Sequence, residues 1–244
     1  MTTKRRGPRG RESDAESSKD LPLFRSTLEQ ETPEVRKRWR DLVRDGYDAI
    51  SFAYRDDEGR PNSTTDEHTD QYRAWVDELA LMVEPGSRVL DLGCGAGLPT
   101  TKELVTRGFS AVGLDISPVQ IERAQRLVPG AEFICADMAT WDTEPSSFDA
   151  VVAFYSLIHV PVRDQRDLLP RIRRWLRPDG VLLAVVGHRN WMGIEDYLGA
   201  QMFWDHADVA TYLQWFQDVR LMPVWNRYIP EGASGHVLVL ARAV

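Results

Sequence analysis

The 244-residue sequence has few cysteines, no long apolar run and no excess of basic residues. Cys94 and Cys135 are its two cysteines, too few for the disulfide framework of a small secreted domain, and we expect both to be small buried side chains. No apolar stretch is long enough to cross a bilayer, and the N-terminus lacks the apolar segment of a secretory signal. We therefore expect a cytoplasmic protein with no membrane partner.

The charge balance and the histidine spacing argue against two further kinds of site. A net charge of -7 disfavours a general nucleic-acid-binding surface, which would be basic, so a nucleic-acid partner is not expected. The five histidines lack the close spacing of a zinc site, so we expect no metal. What is present, a hydrophobic content of 43%, is enough for the core of one α/β domain with additions.

The most informative stretch runs from Arg88 to Leu98 and reads R-V-L-D-L-G-C-G-A-G-L. Its apolar start predicts a buried parallel strand, and a helical pattern begins near Leu98. Between them stand glycines at alternate positions, Gly93, Gly95 and Gly97. Glycines in such a turn allow positive φ and the close approach of a ligand. The unpaired N–H groups of the following helix favour a carboxylate or a phosphate.

Two classes of ligand use a turn of this kind. A dinucleotide requires the spacing G-x-G-x-x-G, with the pyrophosphate at the helix N-terminus. The spacing here is G-x-G-x-G, one residue shorter, and Asp91 at the strand end would repel a pyrophosphate. A carboxylate there favours a ligand that carries an ammonium group beside its carboxylate, such as the methionine part of S-adenosylmethionine. A NAD-dependent oxidoreductase is the alternative that the spacing and the acid disfavour.

The segment D-L-G-C-G-A-G, residues 91–97, resembles motif I of the class I S-adenosylmethionine-dependent methyltransferases. Within that family the chain is most similar in kind to the enzymes that methylate small molecules. The resemblance extends from about Asp66 to the C-terminus. It implies an α/β fold with a Rossmann-like, seven-stranded, mostly parallel sheet, an antiparallel last strand and helices on both faces. It also implies S-adenosyl-L-methionine as the cofactor.

The chain divides into three predicted parts. Residues 1–25 are polar, with too few apolar side chains to offset the entropy of ordering, and predict a disordered tail. Residues 26–65 predict a helical cap, in which a helix starts at Thr32-Pro33, is broken by Gly46 and is followed by a polar loop over Arg55–Thr65. Residues 66–244 predict the methyltransferase domain, with a helix from Asp66 and an acceptor-side lid over about 188–204.

Acids at the predicted strand ends are the main candidates for cofactor contacts. Asp115 ends the second strand about 20 residues after the glycines, where an acid is placed to accept both ribose hydroxyls. Asp137 lies in A-D-M, which resembles the family segment that meets the adenine amino group. Tyr47 and Tyr54 belong to Y-D-x-x-A-x-x-Y, which in the family closes over the cofactor, although packing of a helix onto the domain is an equal alternative. The expected cofactor-binding residues are Tyr47, Tyr54, Asp91, Gly93, Cys94, Gly95, Gly97, Asp115, Ile116, Asp137, Met138 and Phe154.

Methyl transfer is an in-line displacement at an electrophilic carbon, so the protein mainly positions the reactants and excludes water. If the acceptor must lose a proton, a base within hydrogen-bond reach would help. His159 and His188 are the candidates, with Tyr155 as a hydrogen-bonding alternative. The other role open to His159 is to orient its loop.

The predicted lid is unusually aromatic, which favours an acceptor with a flat or apolar body; the alternative is a lid that packs on the core. The candidate acceptor-binding residues are Trp191, Met192, Phe203, Trp204 and Tyr228. We interpret the chain as a methyltransferase of specialised metabolism that modifies an O or N atom of a small, partly apolar or aromatic metabolite. A protein or other macromolecule as acceptor remains an alternative, as does a binding module without turnover. The oligomeric state is left open.

Overall fold

A computed structural model describes residues 31–60, 69–231 and 234–244 of the chain. The predicted tail over 1–25, the predicted helix start at Asp66 and the end of the predicted loop up to Thr65 lie outside these ranges. The described helices are α1 (Pro33–Tyr54), α2 (Thr69–Ala80), α3 (Thr100–Thr106), α4 (Pro118–Leu127), α5 (Val162–Trp175) and α6 (Val209–Asp218). The described strands are β1 (Arg88–Leu92), β2 (Ser110–Asp115), β3 (Glu132–Cys135), β4 (Phe148–Ala153), β5 (Leu176–Gly187), β6 (Trp191–Tyr197), β7 (Ala200–His206), β8 (Leu221–Glu231) and β9 (Ser234–Ala243).

Seven of these strands form one sheet in the order β3-β2-β1-β4-β5-β9-β8. Strands β1 to β5 run parallel to one another, β9 is antiparallel to β5, and β8 pairs antiparallel with β9. Alternate side chains of the central strands enter two separate apolar clusters, one completed by α5 and α6 and the other by α2 and α3. The predicted fold class is confirmed, including the helices on both faces and the antiparallel last strand.

The sheet topology creates one crevice at the carboxyl ends of the parallel strands. Strand β1 has β2 on one side and β4 on the other, so the strand order reverses between β1 and β4. Loops that leave adjacent strands in opposite directions separate at such a point, and ligands of open α/β sheets bind there. Of the helices within the described ranges, none is long and apolar enough to cross a membrane.

Helix α1 corrects one sequence prediction, because Gly46 does not break it. The helix runs for 22 residues, with Thr32 as the N-cap, whose hydroxyl oxygen accepts from the Val35 N–H at 3.3 Å. A Cβ at position 46 would lie 2.9 Å from Met202 Cε and 3.1 Å from the Gln201 carbonyl oxygen. The glycine therefore serves the close approach of α1 to β7, and this contact offsets its low helix propensity.

The structure adds secondary structure to the predicted lid over 188–204, because most of it is a β-hairpin. Strands β6 and β7 pair antiparallel from Trp191↔His206 to Tyr197↔Ala200 and form their own two-stranded sheet. The connecting residues Leu198 and Gly199 both have positive φ, 54° and 88°, as a two-residue hairpin turn requires. Leucine is a poor signal for such a turn, so the sequence pattern does not predict the hairpin.

The two cysteines differ in exposure. Cys94 is buried as expected, whereas Cys135 is exposed. Strand β3 is the outer strand of the sheet, and Cys135 is its last residue. The prediction that both thiols are buried is therefore wrong for Cys135, because an outer strand leaves its end open to solvent.

Candidate functional site

A cavity that is open to solvent, with about 660 Å³ of empty space including its mouth, lies at the carboxyl edge of the sheet, beneath α1. The lining residues come from α1, the glycine turn and the segments that follow β2, β3 and β4. They are Arg40, Val43, Tyr47, Tyr54, Gly93, Gly95, Asp115, Ile116, Gln120, Asp137, Met138, Phe154, Tyr155, Ser156, His159 and Val160. A smaller adjoining cavity of about 430 Å³ shares Tyr54, Gly93, Gly95, Gln120 and Phe154, and it adds Asp91 and Cys94. Most of the expected cofactor-binding residues therefore lie together.

The three glycines of the turn have different structural roles, although all have positive φ. A Cβ on Gly93 would lie 2.2 Å from Ser156 Cβ, so this glycine lets the segment after β4 pack on the turn. A Cβ on Gly97 would lie 3.0 Å from Val128 Cγ2, so this glycine lets the turn pack closely on the C-terminal end of α4. Of the three glycines, Gly95 alone has open space where an added Cβ would lie. Gly97 lines neither cavity, and the structure does not support its prediction as a ligand contact.

Asp91 is a carboxyl group at the end of β1 with only 2% of its surface exposed. Thr101 Oγ1 donates a hydrogen bond to Oδ2 at 2.6 Å. Burial raises the pKa of Asp91 to about 7, although the hydrogen bond from Thr101 opposes the shift. A buried carboxyl group is stabilised in its ionised form when a cation arrives beside it.

Asp115 ends β2 and joins the glycine turn to the start of α4. Its Oδ2 accepts from the Gly95 N–H at 2.8 Å, and its Oδ1 accepts from the Ser117 N–H at 2.9 Å. Burial raises the pKa of Asp115, and these backbone donors oppose the shift. The two bonds hold the carboxylate in the cavity wall, and each oxygen keeps a further lone pair for a ligand.

Helix α1 covers the cavity and is held to α4 by polar contacts. Ser117 Oγ donates to Asp48 Oδ1 at 2.5 Å, and Ser51 Oγ donates to Gln120 Oε1 at 2.9 Å. Tyr47 and Tyr54 both line the cavity, with their ring centroids 5.5 Å apart. The two tyrosines therefore combine the alternatives left open by the sequence, since they pack α1 on the domain and also form part of the cavity wall.

Asp137 meets a partner that the sequence did not reveal. Its Oδ1 accepts from the Ala139 N–H at 2.8 Å, and its Oδ2 accepts from Arg40 Nε at 2.7 Å. Arg40 lies in α1, is 8% exposed and itself lines the cavity. No local signal could identify this pair, because its members are 97 residues apart.

His159 is buried, and both of its ring nitrogens have partners. Nδ1 lies 2.8 Å from the Phe203 carbonyl oxygen, which only accepts, so Nδ1 carries the proton. Nε2 then accepts from the Tyr47 hydroxyl at 3.0 Å. Burial lowers the pKa of His159 to about 4, so the ring is neutral at pH 7. This arrangement makes His159 a group that orients Tyr47 rather than a free base.

Tyr155 lines the cavity at the end of β4, with a positive φ of 56°. Its hydroxyl donates to Glu231 Oε1 at 2.5 Å, and His236 Nδ1 lies 2.9 Å from Oε2 of the same carboxylate. Neither Glu231 nor His236 was a sequence candidate, because β8 and β9 reach the site only through sheet pairing. His188, the other predicted base, does not line the cavity; its ring packs on Tyr228 at 4.8 Å between centroids.

The aromatic hairpin β6–β7 packs against α1 and does not form the cavity wall. Phe203 is 1% exposed and stacks on Trp39 of α1, with ring centroids 4.8 Å apart and planes 9° apart. Met192 and Trp204 join the same apolar cluster, and Trp204 also contacts the His159 ring. All five predicted acceptor-binding residues lie outside the linings of both cavities. They are Trp191, Met192, Phe203, Trp204 and Tyr228. Burial of the apolar face of α1 explains the apolar character of Met192, Phe203 and Trp204, whereas Tyr228 packs on His188 and is 48% exposed.

A metal site is not formed by the residues that the structure describes. Within the ranges 31–60, 69–231 and 234–244, no group of three or more His, Cys, Asp or Glu side chains is arranged to hold a metal ion.

Comparisons with known proteins agree with this geometry. Residues 89–180 match the family model described as a methyltransferase domain. A trans-aconitate 2-methyltransferase of Variovorax paradoxus is 38% identical over 123 residues, which cover 46% of this chain and 46% of that protein. A sterol 24-C-methyltransferase of Yarrowia lipolytica is 28% identical over 176 residues, covering 67% of this chain and 43% of that protein. The matched segments thus span less than half the length of these two relatives.

Solved structures share the fold over most of the chain, and one of them was solved with an acceptor molecule and a cofactor product bound. It is the 1,6-didemethyltoxoflavin-N1-methyltransferase of Burkholderia thailandensis, solved with bound 1,6-didemethyltoxoflavin and S-adenosylhomocysteine. The TM-score is 0.65 at 20% identity, with 86% of this chain and 90% of that chain covered. At this identity the similarity concerns the fold alone.

Proposed function

This chain contains a class I S-adenosylmethionine-dependent methyltransferase domain, and from that premise we propose that it binds S-adenosylmethionine in the cavity beneath α1 and methylates a small molecule. The observation that carries this proposal is the cavity itself. It lies at the point where the strand order reverses, and its wall combines the open glycine Gly95 with carboxylates at the ends of β2 and β3.

The residues present fit the chemistry of that cofactor. Gly95 leaves room for the ligand to approach the backbone. Asp91 would pair with the ammonium group of the methionine part, Asp115 would accept from the ribose hydroxyls, and Asp137 would accept from the adenine amino group. When bound, the cofactor supplies an electrophilic methyl group on a positively charged sulfur. The carboxylates therefore match both hydroxyl and ammonium donors.

The protein's part in the reaction is to position the acceptor and exclude water. Helix α1 closes one side of the cavity, while Phe154 and Tyr155 form the wall at the end of β4. Tyr47 donates its proton to His159, so the lone pairs of its oxygen remain for an N–H or O–H group of the acceptor. Tyr47 would thereby orient the attacking N or O atom toward the methyl group that the cofactor would supply, and the proton of the acceptor would pass to solvent.

A small, partly apolar acceptor suits the rest of the cavity wall. Val43, Met138, Phe154 and Val160 provide apolar surface in the same cavity that Tyr47 lines. The relatives reported above are named for trans-aconitate and a sterol, which supports a small molecule over a macromolecule. Methyl transfer to O or N is the form of the reaction that Tyr47 favours, because a hydrogen-bond acceptor is useful only if the attacking atom carries a proton.

The decisive experiment is calorimetric titration with S-adenosylhomocysteine, and with NADH as the competing cofactor class. We expect binding of the first ligand alone. The variant Asp115→Ala should weaken that binding by about 1–2 kcal/mol, because the ribose hydroxyls lose their acceptor. Asp218→Ala, at the exposed end of α6, is the matched control and should bind like the parent.

Two outcomes would contradict the proposal. Binding of NADH without S-adenosylhomocysteine would assign the glycine turn to a dinucleotide. Unchanged affinity in Asp115→Ala would remove this carboxylate from the ligand site.

A further inference from the structure

A network of two arginines and two aspartates connects α1 to the part of the cavity wall that contains Asp137. Arg40 of α1 donates from Nε to Asp137 Oδ2 at 2.7 Å and from Nη1 to Asp164 Oδ2. Arg36, one turn earlier, donates from Nε to Asp164 Oδ1 at 2.6 Å. The network brings together α1, the segment after β3 and the first turn of α5. Its charges balance, so each buried carboxylate faces a guanidinium.

Asp137 is the most exposed member of this network. Its side chain is 23% exposed, whereas those of Arg36, Arg40 and Asp164 are 10–11% exposed. Asp137 and Arg40 line the cavity; Arg36 and Asp164 do not. Each Asp137 oxygen already accepts one hydrogen bond, from the Ala139 N–H and from Arg40, and each keeps a second lone pair. A carboxylate fixed from two sides in this way presents those lone pairs in one direction.

We propose that Arg40 is a positioning residue for recognition of the purine base. It holds the Asp137 carboxylate so that the remaining lone pairs accept from an exocyclic amino group, and α1 thereby sets the preference for adenine over a 6-keto purine. The proposal rests on the proposed function, since it assumes that the cavity takes an S-adenosyl ligand. A 6-keto group has no proton to donate and would meet the carboxylate oxygens as a second acceptor.

The planar fork of arginine is required for this role. Nε and Nη1 point to carboxylates on two different segments, and a single ammonium group cannot reach both in that geometry. Without the fork, Asp137 keeps its bond to Ala139 but loses the partner that fixes Oδ2. The carboxylate can then turn to solvent, and the preference of the site for an amino group over a keto group falls.

Arg36 supplies a matched comparison within the same network. It shares Asp164 with Arg40, lies in the same helix and is equally buried, but it contacts neither Asp137 nor the cavity. Loss of either arginine leaves Asp164 with one guanidinium instead of two. Both variants should therefore lose stability, whereas only a change at position 40 should alter base preference.

The test is calorimetric titration of the full chain with S-adenosylhomocysteine and with S-inosylhomocysteine, in which a keto oxygen replaces the amino group. The parent protein should bind the first at least about tenfold more tightly, the factor for one hydrogen bond to a charged acceptor. In Arg40→Met this ratio should fall to about threefold or less, and in Arg36→Met it should stay at the parent value. Far-UV circular dichroism establishes that each variant is folded.

Two further variants keep the test informative if Arg40→Met does not fold. Arg40→Lys keeps the positive charge but not the fork, and its ratio should lie between those of the parent and Arg40→Met. Asp137→Asn replaces one acceptor by a donor that a keto oxygen can use, so its preference for the amino ligand should disappear.

The outcomes separate this inference from the proposed function. If both Arg40 variants keep the affinity ratio of the parent protein while Asp137→Asn loses it, Arg40 is a purely structural residue. A parent protein that binds both ligands equally, or an Asp137→Asn variant that keeps the ratio, would also overturn the inference while leaving cofactor binding intact. Failure of the parent to bind either ligand would instead overturn the proposed function.

Discussion

Replacement of Asp91 by asparagine is expected to stabilise the ligand-free protein, and to do so more strongly as the pH rises. Burial raises the pKa of this carboxyl from an ordinary value of 3.8 to about 7. Its protonated form therefore contributes stability that is fully present below pH 3.8 and is lost as the pH rises to about 7. Above pH 7 the folded protein holds a buried carboxylate whose partner, among the described residues, is the Thr101 hydroxyl.

The size of the effect follows from proton linkage. Each unit of pKa difference between the folded and unfolded states is worth about 1.4 kcal/mol, so the full cost of ionising Asp91 is about 4 kcal/mol. Between pH 5 and pH 8, the advantage of Asp91→Asn in free energy of unfolding should grow by about 2–3 kcal/mol. This growth does not depend on how well asparagine packs, because packing contributes equally at both pH values.

The assay is denaturant unfolding of the parent and of Asp91→Asn, without ligand, at pH 5, 6.5 and 8. Asp142→Asn is the control, since Arg174 and the Trp175 indole hold the pKa of that carboxyl at about 2. Its ionisation is complete below the tested range, so its stability difference from the parent should not change with pH. An equally flat difference for Asp91→Asn would refute the reasoning, because it would mean that Asp91 does not take up a proton near neutrality.

The same carboxyl links stability to ligand binding. An ammonium group pairs with the ionised form, so binding of S-adenosylhomocysteine at pH 6 should release a proton and at pH 8 should not. Calorimetry in two buffers with different ionisation enthalpies measures this proton. Asp91→Asn should be the more stable protein at pH 8 and bind the ligand more weakly, a trade-off common at functional sites.

Two further predictions concern glycines. Gly46→Ala should lower the free energy of unfolding by about 1–3 kcal/mol despite the better helix propensity of alanine, because the added methyl would lie 3.1 Å from the Gln201 backbone carbonyl oxygen as well as against Met202; denaturant unfolding measures the loss, and a more stable variant would contradict the close contact. Gly97→Ala should lower the melting temperature but leave S-adenosylhomocysteine affinity unchanged, since position 97 packs the glycine turn on the C-terminal end of α4. Gly95→Ala should weaken affinity, because its added methyl would extend into the open space beside the cavity; equal affinities in the two variants would show that this division of roles is wrong.

Local patterns in the sequence, together with the family resemblance that they carry, predicted the fold and the position of the site. The apolar run at Val89 to Leu92, the three glycines and the acids at the ends of β1 and β2 are all adjacent or regularly spaced in the chain. Parallel strands place their carboxyl ends at one edge of the sheet, so the proximity of Asp91 and Asp115 could be predicted from the sequence. The same reasoning located Phe154, and the resemblance of A-D-M to a family segment located Asp137; both line the larger cavity.

The pairing of side chains that are distant in the sequence could not be predicted in this way. Arg40 meets Asp137 across 97 residues, and Tyr47 meets His159 across 112. Gly46 looked like a helix breaker because its partner Met202 is in another element, and the aromatic hairpin looked like an acceptor site because burial of α1 and binding of a flat ligand require the same side chains. The sequence by itself determined the strands of the main sheet and the glycine turn, because periodicity and turn chemistry are local, and its resemblance to a known family implied how those strands are arranged. Only the tertiary structure decided which side chains face the cavity and which pack against α1, because that choice depends on contacts between segments far apart in the chain.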